Sequence, residues 1–189
     1  MKTDEQKREE LTLKLRRAYD RFMATGRKLK ASDRNLHGYV YQALEMYGMH
    51  ADLSFLDVSA VTDMCGMFEG CPFDGDISGW HTGAVRTIDA MFRNSGFHED
   101  ISGWDTSSVE CMDDAFNGAD PGLLLNILPA WTIPSVRSCG FMFNGTWADL
   151  DEPLGGDLFR LFRDGRLAGR KDIVDGLYGQ VTLGKEASL

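Results

Sequence analysis

The sequence lacks any long apolar run. Its longest, Gly122 to Leu128, holds five apolar residues, far short of the ~20 a helix needs to cross a bilayer. A membrane-spanning helix is excluded on that ground. The opening residues, Met1 to Glu10, contain no apolar stretch of the secretory kind. A cytoplasmic protein is therefore expected, with export by a route that reads no such signal as the alternative.

Cysteine is scarce. Cys65, Cys71, Cys111 and Cys139 form no Cys-x-x-Cys pair and are too few for a disulfide scaffold. Cys65 and Cys71, six residues apart, could be bridged only if the backbone turned back on itself. The four read as small buried hydrophobes, the usual fate of a free cysteine.

The four histidines (His37, His50, His81, His98) are scattered, with no second His at i+4 and no Cys at ligand spacing, which argues against zinc. There is no Gly-x-Ser-x-Gly elbow, no phosphate loop ending in Gly-Lys-Ser/Thr and no dinucleotide fingerprint. Cys65-Gly66 and Cys139-Gly140 have no adjacent His to activate a thiolate. No catalytic residue, cofactor or metal is assigned, and an enzyme is not expected.

Positive charge is missing from the middle of the chain. Residues 50–157 carry three bases (Arg86, Arg93, Arg137) against 18 acids, a balance of −15. Residues 1–35 carry 11 bases against 6 acids, or +5, and residues 158–189 carry +2, within a total of −9. Such a field attracts basic partners and repels nucleic acid and membrane surfaces. Solubility alone is the plainer reading of the same charge.

What the chain does have is an internal repeat. Val61, Val85, Val109 and Val136 step by 24, 24 and 27 residues, and Phe68, Phe92, Phe116 and Phe143 step identically. Four landmarks in register imply units of about 24 residues, none able to bury its own apolar side, so that neighbours must stack. The fold class expected is an α/β repeat solenoid of leucine-rich-repeat-like coils with helical caps at both ends. Stacking would place Leu56, Trp80, Trp104 and Trp131 in one core column, the four Phe in a second, and Ile77 and Ile101 in a third. A stacking platform for bases or sugars is the alternative use of those rings.

Within a unit, Ser78-Gly79, Ser102-Gly103, Asn117-Gly118 and Asn144-Gly145 read as corners that tolerate positive φ. Asp105-Thr106-Ser107 reads as an Asx-type turn. Phe97 to Ile101 suggests a short strand, Val85 to Ile88 a second extended piece, and Asp89 to Phe92 one helical turn.

The organisation expected is a charged amphipathic helix over 1–35, a capping helix over 36–50, about four repeat units over 51–155, and a C-terminal helical cap and tail over 156–189. Thr3 and Gln6 form a capping box for a helix that ends near Gly26. Its apolar stripe is Leu11, Leu15, Ala18/Tyr19 and Phe22. The second helix, about Leu36 to Tyr47, buries Val40, Ala43, Leu44 and Tyr47, and Asp157–Arg163 and Lys171–Tyr178 read as short C-terminal helices.

Residues 36–147 resemble the BspA-like leucine-rich-repeat surface proteins. The resemblance rests on Leu56-Asp57-Val58-Ser59-Ala60-Val61 with Met64, Met67 and Phe68, and on Trp104-Asp105-Thr106-Ser107-Ser108-Val109 with Met112. The approach Ala51-Asp52-Leu53-Ser54-Phe55 is also similar to that family's entry segment. The resemblance implies a curved solenoid used for adhesion or protein binding, and a cell-surface location.

The function expected is a non-enzymatic module whose acidic surface docks a basic protein, with Asp76, Glu99, Asp100 and Glu110 as candidate binding residues. A DNA mimic that occupies a nucleic-acid-binding protein, or a structural subunit docked through the basic N-terminal helix, are the alternatives. Asp76/Asp100 and Asp89/Asp113 occupy equivalent positions in adjacent units, where stacked like charges need solvent or a cation such as calcium. No calcium-loop sequence is present. Oligomeric state and partner are left open.

Overall fold

A computed structural model of the chain describes residues 2–119, 123, 130–131 and 133–142. Helix α1 spans Asp4–Thr25. The Gln6 amide donates to Thr3 Oγ1 at 3.2 Å, and the Thr3 amide donates to the Gln6 carboxamide at 3.0 Å. This capping box satisfies two amides that the first turn leaves unpaired. Gly26 ends the helix at φ 70°, where a side chain would be strained. Leu15 and Ala18 are buried, and Leu11, Tyr19 and Phe22 pack partly against the same core.

Strand β1 (Leu29–Lys30) leads to helix α2 (Leu36–Tyr47), which ends at Gly48. Val40, Ala43 and Leu44 of α2 are buried. Tyr47 stays at the surface and stacks on Tyr19 of α1, ring centres 4.9 Å apart. Strand β2 (Leu56–Asp57) pairs parallel with β1, Leu29 opposite Leu56.

Two helices and this two-stranded parallel sheet are the regular elements found among the described residues. The expected α/β leucine-rich-repeat-like solenoid is thereby corrected. Residues 58–119 form no helix, and extended pairing shrinks to single parallel bridges, Asp63–Thr87 and Thr87–Cys111, continued by Cys111–Ser138. The physical reason is a recurring left-handed backbone. Gly66, Ala90, Asp114 and Phe141 have φ of 60°, 52°, 56° and 53°, and Gly70, Asn94 and Gly118 have 62°, 50° and 68°. Left-handed residues four positions apart interrupt both strand and helix. The expected strand Phe97–Ile101 does not form, Val85–Ile88 contributes only the bridge at Thr87, and Asp89–Phe92 is no helical turn because Ala90 is left-handed. The expected C-terminal helices and tail, the Asn144-Gly145 corner and Phe143 lie outside the described residues.

The segment is held by hydrogen bonds between turns 24 residues apart. The amides of Met64, Gly66, Phe68 and Gly70 donate to the carbonyls of Thr87, Asp89, Met91 and Arg93 at 2.8–3.0 Å. Those of Ile88, Ala90, Phe92 and Asn94 donate in turn to Cys111, Asp113, Ala115 and Asn117. Backbone groups that no helix or strand pairs are satisfied in this way.

Side chains follow the same register. Phe92 lies 5.8 Å from Phe68 and 5.8 Å from Phe116, and Trp104 lies 6.2 Å from Trp80 and 6.3 Å from Trp131, all near parallel. Leu56, Ile77 and Ile101 are fully buried beside them. Each indole N–H donates to a carbonyl of the preceding turn: Trp80 to Leu53, Trp104 to Ile77 and Trp131 to Ile101, at 3.0–3.1 Å. A buried indole thus leaves no unpaired donor. The Ser78-Gly79 and Ser102-Gly103 corners are turns closed by the Trp80 and Trp104 amides on Ile77 and Ile101, with no left-handed glycine, whereas Gly118 is left-handed.

Candidate functional site

Outward-facing acids in this region are shaped by the dipeptides that follow them. Asp76, Asp100 and Asp105 each precede a Ser by two residues, and each carboxylate accepts that Ser amide, at 2.8, 2.8 and 3.0 Å. These are Asx turns, and Asp52 and Asp57 make them too, with Ser54 and Ser59. The bonds favour the ionised form. They hold Asp100 below the usual carboxylate range through the Ser102 backbone, and Asp57 and Asp105 through the hydroxyls and then the amides of Ser59 and Ser107.

The four candidate binding acids separate into two kinds. Asp76, Glu99 and Asp100 are exposed, and no Lys or Arg among the described residues comes within 4 Å of them. Glu110 is half-buried between Arg86, at 2.5 Å, and Arg137, at 3.6 Å. It is committed inside the chain and drops out of the free acidic face.

Polar side-chain contacts also run between turns. Arg93 reaches Glu69 at 3.8 Å and His50 reaches Asp74 at 2.5 Å, each pair 24 residues apart. All three bases of residues 50–157 are thus taken up by two glutamates, Glu69 and Glu110.

Asp89 and Asp113 are stacked as expected from their spacing, and neutral protein donors solvate both carboxylates. Asp89 accepts the Asp113 amide at 2.9 Å, and Asp113 accepts the Ser138 hydroxyl at 2.6 Å and the Gly140 amide. Among the described residues no three His, Cys, Asp or Glu side chains converge as a metal site.

No disulfide joins the cysteines among the described residues. Cys139 is buried, but Cys65, Cys71 and Cys111 are only half-buried, which corrects the reading of all four as core. Burial raises the thiol pKa of these three above its ordinary value. His98 donates from Nδ1 to its own Gly96 carbonyl at 3.0 Å and faces Glu99, while His81 is exposed.

The opposite pole lies on α1, which the sequence offered as the docking element of a structural subunit. A groove of about 750 Å³ runs along α1, walled by Lys7, Lys14, Arg17 and Arg21 with one acid, Glu10, over Leu11 and Leu29. Arg17 and Arg21 have no carboxylate partner within 4 Å among the described residues, and Leu13 on the same helix is 47% exposed. The cue available in the sequence was the density of bases over residues 14–30.

Residues 36–152 match the family described as DUF285, Mycoplasma protein of unknown function. The chain belongs to that family. The match takes in α2, β2 and the ladder of turns, and leaves out α1 and its basic groove. No curated protein and no solved structure matches the chain. No helix among the described residues is long and apolar enough to cross a membrane.

Proposed function

We propose that this member of the DUF285 family is a non-enzymatic binding module whose acidic side docks a basic protein surface. The observation that carries the reading is the placement of charge. The few bases of the acidic stretch are consumed by Glu69 and Glu110, which leaves Asp76, Glu99 and Asp100 exposed with no Lys or Arg within 4 Å among the described residues. Asx turns fix two of these carboxylates on a rigid scaffold, so little ordering is needed on binding. The adhesion or protein-binding role implied by the resemblance to BspA-like surface proteins points the same way.

The test is capture of proteins from lysate by the immobilised chain, against the Asp76→Lys/Glu99→Lys/Asp100→Lys variant. Capture by the native chain should weaken as salt rises from about 0.1 M to about 1 M, where screening shortens from ~10 to ~3 Å. The variant should lose the salt-sensitive fraction, and Glu110→Gln should retain it. Identical capture by native chain and triple variant would overturn the reading.

A further inference from the structure

The basic groove of α1 and the exposed acids of the ladder are complementary in sign. Arg17 and Arg21 lie one helical step of four residues apart, about 6 Å along the axis. Asp76 and Asp100 lie one ladder step apart. Rings on either side of them stack at centre distances of 5.8 Å (Phe73 on Phe97) and 6.2 Å (Trp80 on Trp104). Two bases four residues apart and two acids 24 residues apart thus stand on different parts of one molecule.

Neither set is neutralised at home. Arg17 and Arg21 have no acid within 4 Å, and Asp76 and Asp100 have no Lys or Arg, among the described residues. The groove also has an apolar floor in Leu11 and Leu29, with Leu13 exposed at its rim, which gives a docked surface something to desolvate besides charge.

We propose that a second copy of this chain is the basic partner of the acidic face. The α1 groove of one molecule receives the Asp76/Asp100 edge of the next, head to tail. This rests on the binding role proposed above and names its partner. The contact is heterologous, so it generates rings or open chains of molecules instead of a closed two-fold dimer. Its charge pairs lie near the surface and should respond strongly to salt.

The test is sedimentation velocity on the full chain across a concentration series, at about 0.1 M and about 1 M salt. Concentration-dependent growth beyond the dimer is expected at low salt, with a return to monomer at high salt. Arg17→Glu/Arg21→Glu should abolish growth, as should Asp76→Lys/Asp100→Lys, and mixing the two variants should restore association between unlike molecules. Asp76→Asn/Asp100→Asn keeps the turn acceptors while removing charge, and it should also lose growth; circular dichroism checks that each variant is folded. A native chain that stays monomeric at low salt, or variants that associate as the native chain does, would overturn the proposal. So would binding of the groove to anionic vesicles or DNA without self-association. Salt-sensitive capture from lysate by a strictly monomeric chain would remove this inference and leave the binding role standing.

Discussion

The carboxylate of Asp33 does for Thr62 what a backbone carbonyl does in every later turn. Asp33 accepts the amides of Thr62 and Asp63 at 2.7 and 3.2 Å and the Thr62 hydroxyl at 2.8 Å. One turn on, the amides of Arg86 and Thr87 go to the Thr62 carbonyl, and those of Glu110 and Cys111 go to the carbonyl of Arg86. The first turn has no predecessor, so a side chain from the loop between β1 and α2 stands in for it. An edge that would invite pairing with another chain is closed by this contact.

Replacing Asp33 by Ala should therefore destabilise the protein by about 1–2 kcal/mol, the range of a lost helix N-cap or a charged hydrogen bond. Denaturant unfolding checks this. Retained stability would mean that the capping contact is idle.

The same contact sets an acid limit. Hydrogen bonds from the Thr62 amide and hydroxyl hold the Asp33 carboxyl below its ordinary value. A depressed carboxylate contributes stability that is complete above its unfolded pKa, about 3.9, and is lost as pH falls through the folded value. Asp57, Asp100 and Asp105 are shifted in the same direction. Stability should then fall below about pH 4, and Asp33→Ala should lose less on acidification than the native chain. Titrated denaturation curves with identical acid slopes would contradict this.

Phe92, fully buried between Phe68 and Phe116, has ring neighbours on both sides. Phe92→Ala should cost about 3–5 kcal/mol, enough to unfold a marginal domain. Trp104→Phe keeps a ring but strips the donor from the Ile77 carbonyl, and about 1–3 kcal/mol is expected. Thermal melts of the two variants should rank them in that order.

Two backbone substitutions should act in opposite directions. Ala90 has φ 52°, so Ala90→Gly relieves a left-handed cost of about 1 kcal/mol and should raise the melting temperature. Gly118 has φ 68°, and an added Cβ would meet Asn94 Oδ1. Gly118→Ala should destabilise the chain through both effects. Melting temperatures that move the same way would count against the recurring left-handed positions.

Local chemistry was the legible part of the sequence. Thr3, Gln6 and Gly26 bracket α1, and the stripe from Leu36 to Tyr47 locates α2, because caps and helical spacing act within a few residues. The Phe and Trp columns were readable because stacking repeats the same residue types at one interval. Secondary structure inside a turn was not readable. Nothing in Ala90 or Asp114 marks a positive φ, which is imposed by the bonds to neighbouring turns. Asp33 contacts residues 29 and 30 positions away and belongs to no repeat, so no pattern could single it out. The fate of Glu110 was open to detection: Arg86, Glu110 and Arg137 each follow a landmark Val and must face one another once the turns are in register.

That register is tested most directly by a new thiol at position 87. Thr87 is the bridge partner of Cys111, and its hydroxyl lies 3.1 Å from Cys65 Sγ. Paired backbones run about 4.8 Å apart, within the span a disulfide tolerates. Under mild oxidation, the folded Thr87→Cys variant should form a bond from the introduced thiol to Cys65 or Cys111, identified by peptide mass mapping. An introduced thiol that stays free, or that links only to Cys71 or Cys139, would contradict turns aligned at 24-residue steps.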